Sequence, residues 1–307
     1  MADQAVLEST DTADTGAQPS YEFVVVGSGV SGIYQIKRLV DLGANAVALS
    51  SDGGLGGTWY NNRYPGARFD SESYTYGYSF SKELLEEWNW KERFSGQPEN
   101  LKYLNFVADK FDLRRHMRFS HTVTAMTFDE QANMWRLRIK ESDTEITTRF
   151  VITALGLLSI PTMPRYPGLK SFKGLAFHTF DWPHEPIDLT GKRVGVVGTG
   201  ATGIQVIADI ADKVGHLTVF QRRPNWSAPL SNGEISEAEM ADIKARYDEI
   251  FTICARSPGG FEHEPDRREQ GNRRIVDSER FEHRCDGDEH RQEIGRASCR
   301  ERVLQVV

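Results

Sequence analysis

The chain has 307 residues, 39% of them hydrophobic, which is enough for about two globular domains. Its 44 acidic and 37 basic side chains give a net charge of −7, so nothing in the charge favours a nucleic acid or an anionic membrane as partner. Cys254, Cys285 and Cys299 lack zinc or C-x-x-C spacing, and no apolar run approaches the roughly 20 residues of a membrane helix. We therefore expect a protein of the cytoplasm without a metal site.

The N-terminal elements follow the order of a dinucleotide-binding fold. Residues 1–20 are small and acidic, which predicts a disordered tail and not a signal peptide. A strand at 21–26 leads into a glycine-rich turn, a helix that ends near Gly43 and a second strand at 46–49. The glycines of the G-x-G-x-x-G turn permit a tight bend, close approach to a pyrophosphate and close helix packing. These glycines are Gly27, Gly29 and Gly32.

The end of the second strand departs from that fold. A carboxylate usually stands there to bind the ribose hydroxyls, whereas this chain has Ser50, with Asp52 two residues further on. A serine forms a weaker hydrogen bond than a carboxylate does. The sequence leaves two possibilities open: adenosine binds more weakly, or Asp52 takes the place of the missing carboxylate.

The middle of the chain predicts an aromatic segment, helices and a β-meander. Tyr74, Tyr76, Tyr78 and Phe80 alternate, which predicts one face of an extended segment, although such a face can simply be core. Residues 81–111 have a helical pattern, with one helix beginning at Gln97-Pro98-Glu99. Three strands are predicted, at 122–128, 135–139 and 145–152. Three prolines between 161 and 167 then indicate a domain boundary.

A second nucleotide-binding pattern follows. A strand at 192–197, a helix at 204–211 and a strand at 217–221 surround another G-x-G-x-x-G turn. The turn consists of Gly198, Thr199, Gly200, Ala201, Thr202 and Gly203. Arg222 and Arg223 stand where an NAD site would have an acid, and a guanidinium pairs with a 2′-phosphate, so NADPH is favoured over NADH. The alternative is a solvated basic pair on a surface loop.

Between the two turns, residues 172–183 match the pattern F-x-G-x-x-x-H-T-x-x-W-P. The fixed positions are Phe172, Gly174, His178, Thr179, Trp182 and Pro183. This pattern resembles the fingerprint of the Baeyer–Villiger monooxygenases, flavin enzymes that insert oxygen beside a ketone. In that family the segment joins the domains, so we do not assign His178 as a proton donor. The alternative is a linker whose aromatic side chains only pack.

The resemblance implies an α/β flavoprotein with two Rossmann-like, dinucleotide-binding domains and a small meander. It places FAD at the first turn and NADPH at the second, with a flavin peroxide oxygenating a ketone to an ester or lactone by use of O2. It also assigns FAD contacts to Gly56, Gly57, Thr58, Trp59, Tyr76 and Val123. Asp70 would lie near the reactive edge of the flavin, or else serve as a loop or cap carboxylate.

The resemblance also divides the chain and leaves alternatives. We expect an FAD-binding domain at 21–165, the fingerprint and an NADP-binding domain at 166–261, and an aberrant tail at 262–307. Residues 293–303 resemble a translated sequencing adapter, although a natural solvated tail stays possible. The family's active-site arginine lies on a G-T-K-R segment that does not occur here, so we expect a fragment with little turnover.

Two other functions stay open. An N- or S-oxidising flavin monooxygenase shares the early fingerprint but usually lacks Thr179 and Trp182-Pro183. A fragment that binds FAD or NADP without catalysis is the other. The identity of the ketone and the oligomeric state do not follow from the sequence.

Overall fold

The structure is a computed structural model that describes residues 20–262, apart from 224 and 228. The predicted N-terminal tail, but for residue 20, and the segment 293–303 lie outside the described residues. The chain forms two compact units. Unit 1 contains the described residues up to Leu55 together with Phe111–Gly156, and unit 2 contains Gly56–Lys110 together with the described residues from Leu157 onward. The domain bounds expected from the sequence stay a prediction.

Unit 1 is built on a six-stranded sheet with the strand order β3-β2-β1-β6-β5-β4. The strands are β1 (Ser20–Val26), β2 (Ala46–Leu49), β3 (Met117–Arg118), β4 (Val123–Asp129), β5 (Met134–Ile139) and β6 (Glu145–Thr153). β1 pairs in parallel with β2 and β6, whereas β4, β5 and β6 form an antiparallel meander. Helix α1 (Val30–Asp41) connects β1 to β2 and buries Ile33, Ile36 and Leu39. The predicted strands are confirmed, and β3 was not foreseen.

Unit 2 contains the second strand–helix–strand repeat. β7 (Arg193–Val197) and β8 (His216–Phe220) pair in parallel, and helix α6 (Ala201–Ile210) connects them. Their apolar side chains form one cluster, which includes Val194, Val196, Val206 and Ile210. The helix predicted at 204–211 therefore exists but begins three residues earlier. The other helices of unit 2 are α2 (Thr58–Asn61), α3 (Ser73–Tyr76), α4 (Lys82–Glu87), α5 (Gln97–Lys110), α7 (Glu237–Ala245) and α8 (Tyr247–Arg256).

The predicted extended aromatic segment is wrong. Ser73–Tyr76 is a single helical turn, in which the Thr75 and Tyr76 amides donate to the Glu72 carbonyl. The aromatic rings instead contact one another in a cluster that includes Phe69, Tyr76 and Trp90. The helical pattern of 81–111 is also interrupted, between α4 and α5. An alternating pattern alone does not form a strand, because a strand also needs a neighbour for its backbone hydrogen bonds.

No helix in the described part of the chain has both the length and the apolarity that crossing a bilayer requires.

Candidate functional site

The first glycine-rich turn links β1 to α1 within unit 1. Gly27 has φ +116°, a conformation that an L side chain rarely adopts, and its amide donates to the Leu49 carbonyl. A Cβ on Gly32 would lie 2.0 Å from the Gly27 carbonyl oxygen, so the helix can pack this closely only with glycine there. The structure therefore requires two of the three predicted glycines for steric reasons.

The N-terminus of α1 fits an anionic group. Gly29 is the N-cap residue, and no side chain makes a capping hydrogen bond there. The Ser28 hydroxyl is buried and has no hydrogen-bond partner among the described residues. A helix N-terminus carries unsatisfied N–H groups and a partial positive charge, which favour a phosphate.

Ser50, which replaces the expected carboxylate, is buried and holds the end of β2. Its amide donates to the Arg118 carbonyl, and its own carbonyl accepts from the His121 amide. Its hydroxyl accepts from the Asp52 amide at 3.3 Å. Val123, two residues after His121, begins β4 and packs at the margin of the apolar cluster of unit 1. Ser50 therefore has a structural role in addition to any contact with a ribose.

The loop that begins at Gly56 brings two of the predicted flavin contacts together within unit 2. Gly57 is the N-cap residue of the short helix α2, which begins at Thr58. The buried Trp59 indole donates to the Tyr76 hydroxyl at 2.8 Å, and Phe69 stacks on Tyr76 at 4.5 Å between ring centroids. Burial raises the pKa of Tyr76, and the hydrogen bond from Trp59 partly offsets the rise. Asp70, directly after Phe69, is exposed.

The second glycine-rich turn has the same backbone geometry as the first. Gly198 has φ +101°, and its amide donates to the Phe220 carbonyl. A Cβ on Gly203 would lie 2.5 Å from the Gly198 carbonyl oxygen. Gly200 is the N-cap residue of α6, again without a capping side chain. This helix N-terminus therefore also fits a pyrophosphate.

Side chains from the segment after β8 support this second turn. The Gln221 amide donates to the Thr199 hydroxyl at 2.9 Å, and the Asn225 amide donates to the Thr199 carbonyl at 2.7 Å. Neither residue was predicted from the sequence, although Gln221 directly follows β8, and a polar residue at the carboxyl end of a strand in this fold indicates a place near the ligand. Arg222 and Arg223 lie between them and are exposed, which leaves their guanidinium groups accessible.

The fingerprint stretch 172–183 has capping and packing contacts. The His178 Nδ1 accepts from the Phe180 amide at 3.1 Å and caps the 3₁₀ turn Thr179–Asp181. Trp182 is buried in the apolar cluster of unit 2 and contacts Phe177 at 5.5 Å between ring centroids. A Cβ on Gly174 would lie 2.6 Å from the Phe172 ring. In this structure His178 therefore caps a turn, and Trp182 is part of the apolar core.

In the part of the chain that the structure describes, no group of three or more His, Cys, Asp or Glu side chains is placed to hold a metal ion. Cys254 is a free cysteine, and burial raises the pKa of its thiol, so the neutral form is favoured.

Comparison with known proteins gives concordant matches. The sequence pattern of the family described as flavin-binding monooxygenase-like matches residues 21–234. The chain is 45% identical to the acetone monooxygenase (methyl acetate-forming) of Gordonia sp. (strain TY-5), over 78% of this chain and 45% of that protein. It is 40% identical to the phenazine N-monooxygenase PhzNO1 of Lysobacter antibioticus, over 75% of this chain and 41% of that protein.

A solved structure of an oxidized steroid monooxygenase bound to NADP is similar as well. It superimposes with a TM-score of 0.77 at 47% identity, over 81% of this chain and 47% of that one. The chain thus spans about half the length of the curated relatives it matches.

Proposed function

The chain belongs to the family of flavin-binding monooxygenase-like proteins, and on that basis we propose that the protein is a Baeyer–Villiger-type monooxygenase. It would use FAD, NADPH and O2 to insert one oxygen atom beside the carbonyl of a small ketone, giving an ester or lactone. The relative from Gordonia is named for the formation of methyl acetate from acetone, which supports this reaction class. The spacing of the cysteines supports a cytoplasmic location.

One observation carries the proposal. A single chain contains two glycine-rich turns, each at the uncapped N-terminus of a helix that follows a parallel strand. Two dinucleotide sites in one oxygenase imply two cofactors that exchange a hydride. FAD, when bound, supplies the activation of O2, and NADPH supplies the hydride.

The roles of the chain's own residues follow from their surroundings. The helix N-termini at Gly29 and Gly200 would bind the two pyrophosphates, and the buried Ser28 hydroxyl would gain a hydrogen-bond partner from the first. Arg222 and Arg223 would bind the 2′-phosphate of NADPH.

Trp59, Tyr76 and Asp70 would lie beside the flavin ring. The hydrogen bond between Trp59 and Tyr76 fixes both rings, which form an aromatic wall together with Phe69. The raised pKa of Tyr76 keeps its hydroxyl protonated, so this wall carries no charge there. A rigid aromatic wall excludes water from the site where oxygen transfer takes place. The exposed carboxylate of Asp70 is the proposed catalytic group.

The test is oxygen transfer with defined stoichiometry. The protein with FAD, NADPH and isotopically labelled O2 is given cyclohexanone and acetone separately, and the products are identified by mass spectrometry. We expect turnover of this chain to be low, but each product molecule should be an ester or lactone that carries one labelled oxygen atom, with one NADPH consumed. Consumption of NADPH with hydrogen peroxide as the sole product would contradict the proposed oxygenation.

A second candidate is oxidation at nitrogen. The relative from Lysobacter antibioticus is named as a phenazine N-monooxygenase and is nearly as similar as the acetone monooxygenase. The same assay with a phenazine distinguishes the two, because an N-oxide without any ketone oxidation would favour this candidate. Binding of FAD and NADP without turnover of either substrate class would favour a purely nucleotide-binding role.

A further inference from the structure

The segment Tyr64–Arg68 lies directly on helix α6, and Gln205 attaches it there. The Gln205 Oε1 accepts from the Tyr64 hydroxyl at 2.9 Å and from the Arg68 amide at 3.5 Å. The Gln205 Nε2 donates to the Arg68 carbonyl at 2.8 Å. One half-buried side chain thus binds both ends of the segment, and it binds the backbone of Arg68 in both directions.

The segment and the helix also approach each other at the backbone. Gly66 has φ +76°, and a Cβ there would lie 2.4 Å from the Gln205 carbonyl oxygen. Any larger residue at 66 would therefore push the segment off the helix. The contact between segment and helix depends on both glycine and glutamine.

The second glycine-rich turn and Gln205 belong to the same helix. Thr202, in the turn, and Gln205 are three residues apart on α6, so they lie on the same face of the helix. The side chain that holds Tyr64 and Arg68 therefore lies within one helical turn of the backbone that fits a pyrophosphate.

On its other side, the segment continues toward the aromatic wall. Arg68 forms an ion pair with Glu92 at 3.2 Å, and the Glu92 carboxylate accepts a hydrogen bond from the Asn232 side-chain amide at 2.7 Å. Phe69, the next residue, stacks on Tyr76. A shift of Arg68 would therefore move a ring that contacts Tyr76.

We propose that Gln205 is a positioning residue that couples occupancy of the second glycine-rich turn to the conformation of the Tyr64–Arg68 segment. A dinucleotide at the N-terminus of α6 orders the first turn of that helix, and Gln205 transmits the change to Tyr64 and to the backbone of Arg68, which precedes Phe69. Coupling of this kind is reciprocal, so a segment held in place also strengthens dinucleotide binding. The inference rests on the proposed function, because the dinucleotide is taken to be NADP.

The test measures hydrogen exchange in peptides that cover residues 60–70, with and without NADP⁺, in the full protein loaded with FAD. We expect NADP⁺ to slow exchange there by about tenfold in the wild type. Gln205→Met has a similar shape but makes none of the three hydrogen bonds, so it should abolish this effect. It should also weaken NADP⁺ binding by about fivefold in calorimetry, which is at the lower end of typical coupling.

Two further variants separate coupling from loss of folding. Tyr64→Phe removes only the hydroxyl and should retain part of the effect, since Gln205 still binds the Arg68 backbone. Gln131→Met makes the same chemical change at an exposed residue of unit 1 and should behave as the wild type.

The outcomes distinguish this inference from the proposed function. Wild-type protein that binds NADP⁺ without slower exchange at 60–70, or Gln205→Met that retains the slowing, would overturn the coupling alone. If Gln205→Met does not fold, an unchanged response in Tyr64→Phe would overturn it instead. Wild-type protein that does not bind NADP⁺ at all would overturn both the coupling and the cofactor assignment.

Discussion

The two glycine-rich turns have nearly the same backbone but different support. The first turn lies in a six-stranded sheet, where the backbone surrounds it and a Cβ on Gly27 would lie 2.3 Å from the Ala154 carbonyl oxygen. The second turn lies beside a two-stranded sheet, and side chains such as Gln221 and Asn225 hold its Thr199. Backbone contacts thus hold both turns, and the second turn has side-chain hydrogen bonds in addition.

This difference predicts how each turn responds to change. A turn surrounded by backbone tolerates little, because carbonyl groups in a sheet cannot move without breaking other hydrogen bonds. Where side chains also support a turn, removal of one hydrogen bond should weaken ligand binding by only about 1 kcal/mol. Four predictions test the comparison.

The largest effect is expected from the glycines that face the turns. Gly32→Ala should lower the free energy of unfolding by about 3 kcal/mol, because its Cβ would overlap the carbonyl oxygen of Gly27, a residue whose amide is bonded to the Leu49 carbonyl. Gly203→Ala should cost less, about 2 kcal/mol, because its Cβ would lie 2.5 Å from the nearest carbonyl oxygen, compared with 2.0 Å for Gly32, and the surrounding sheet is smaller. Urea unfolding followed by circular dichroism measures both.

Gly233→Ala is the control for these variants. A Cβ there has no heavy atom within 4 Å, so its stability should stay within about 0.5 kcal/mol of the wild type. A larger loss for Gly203→Ala than for Gly32→Ala would contradict the proposed difference between the turns.

The second effect concerns the arginines after β8. The double variant Arg222→Gln, Arg223→Gln should lose about tenfold of the preference for NADP⁺ over NAD⁺, or about 1.4 kcal/mol. Binding titrations with both dinucleotides measure this ratio. Arg149→Gln, at an exposed arginine on β6, should leave the ratio unchanged. An unchanged ratio in the double variant would mean that the pair is only a solvated basic surface.

The third effect is on the side-chain support itself. Asn225→Ala removes the hydrogen bond to the Thr199 carbonyl and should weaken NADP⁺ binding by about fivefold, or about 1 kcal/mol. Calorimetry with NADP⁺ measures it, and retention of FAD is the internal control because the first turn has other supports. Equal loss of both cofactors would show that Asn225 acts on the whole protein and not on one turn.

The smallest effect is a pH dependence confined to unit 2. Burial raises the pKa of Tyr78 and of Tyr103 far above the ordinary value of 10.0, so the folded state holds these protons after the unfolded state has released them. The two tyrosines should therefore make their full contribution to the free energy of unfolding below pH 10.0, and this contribution should be lost as the pH rises further.

Unfolding in urea at about pH 8 and about pH 11 gives the size of this loss. Tyr78→Phe removes one ionisable group and should reduce the loss by a fraction of the wild-type value. A variant that loses as much stability as the wild type would exclude Tyr78 as a source of the pH dependence.

The sequence predicted the strands and helices around both turns almost to the residue. Val24, Val26, Val47 and Leu49 are buried as their apolar pattern indicated, and Gly43 ends α1 with its amide donating to the Val40 carbonyl. Such signals are local, because periodicity, caps and glycine requirements depend on neighbours in the chain. The assigned roles of Asp70, Val123 and the other site residues stay predictions.

The tertiary structure decided what supports these local elements. Strand β3 has only two residues and exists because β2 pairs with it, and the aromatic residues near Tyr76 pack on one another in a cluster. The contact between Tyr64 and Gln205 joins residues 141 positions apart. A hydrogen bond between distant side chains leaves no periodic signal in either stretch, so only the folded chain shows that these two residues meet.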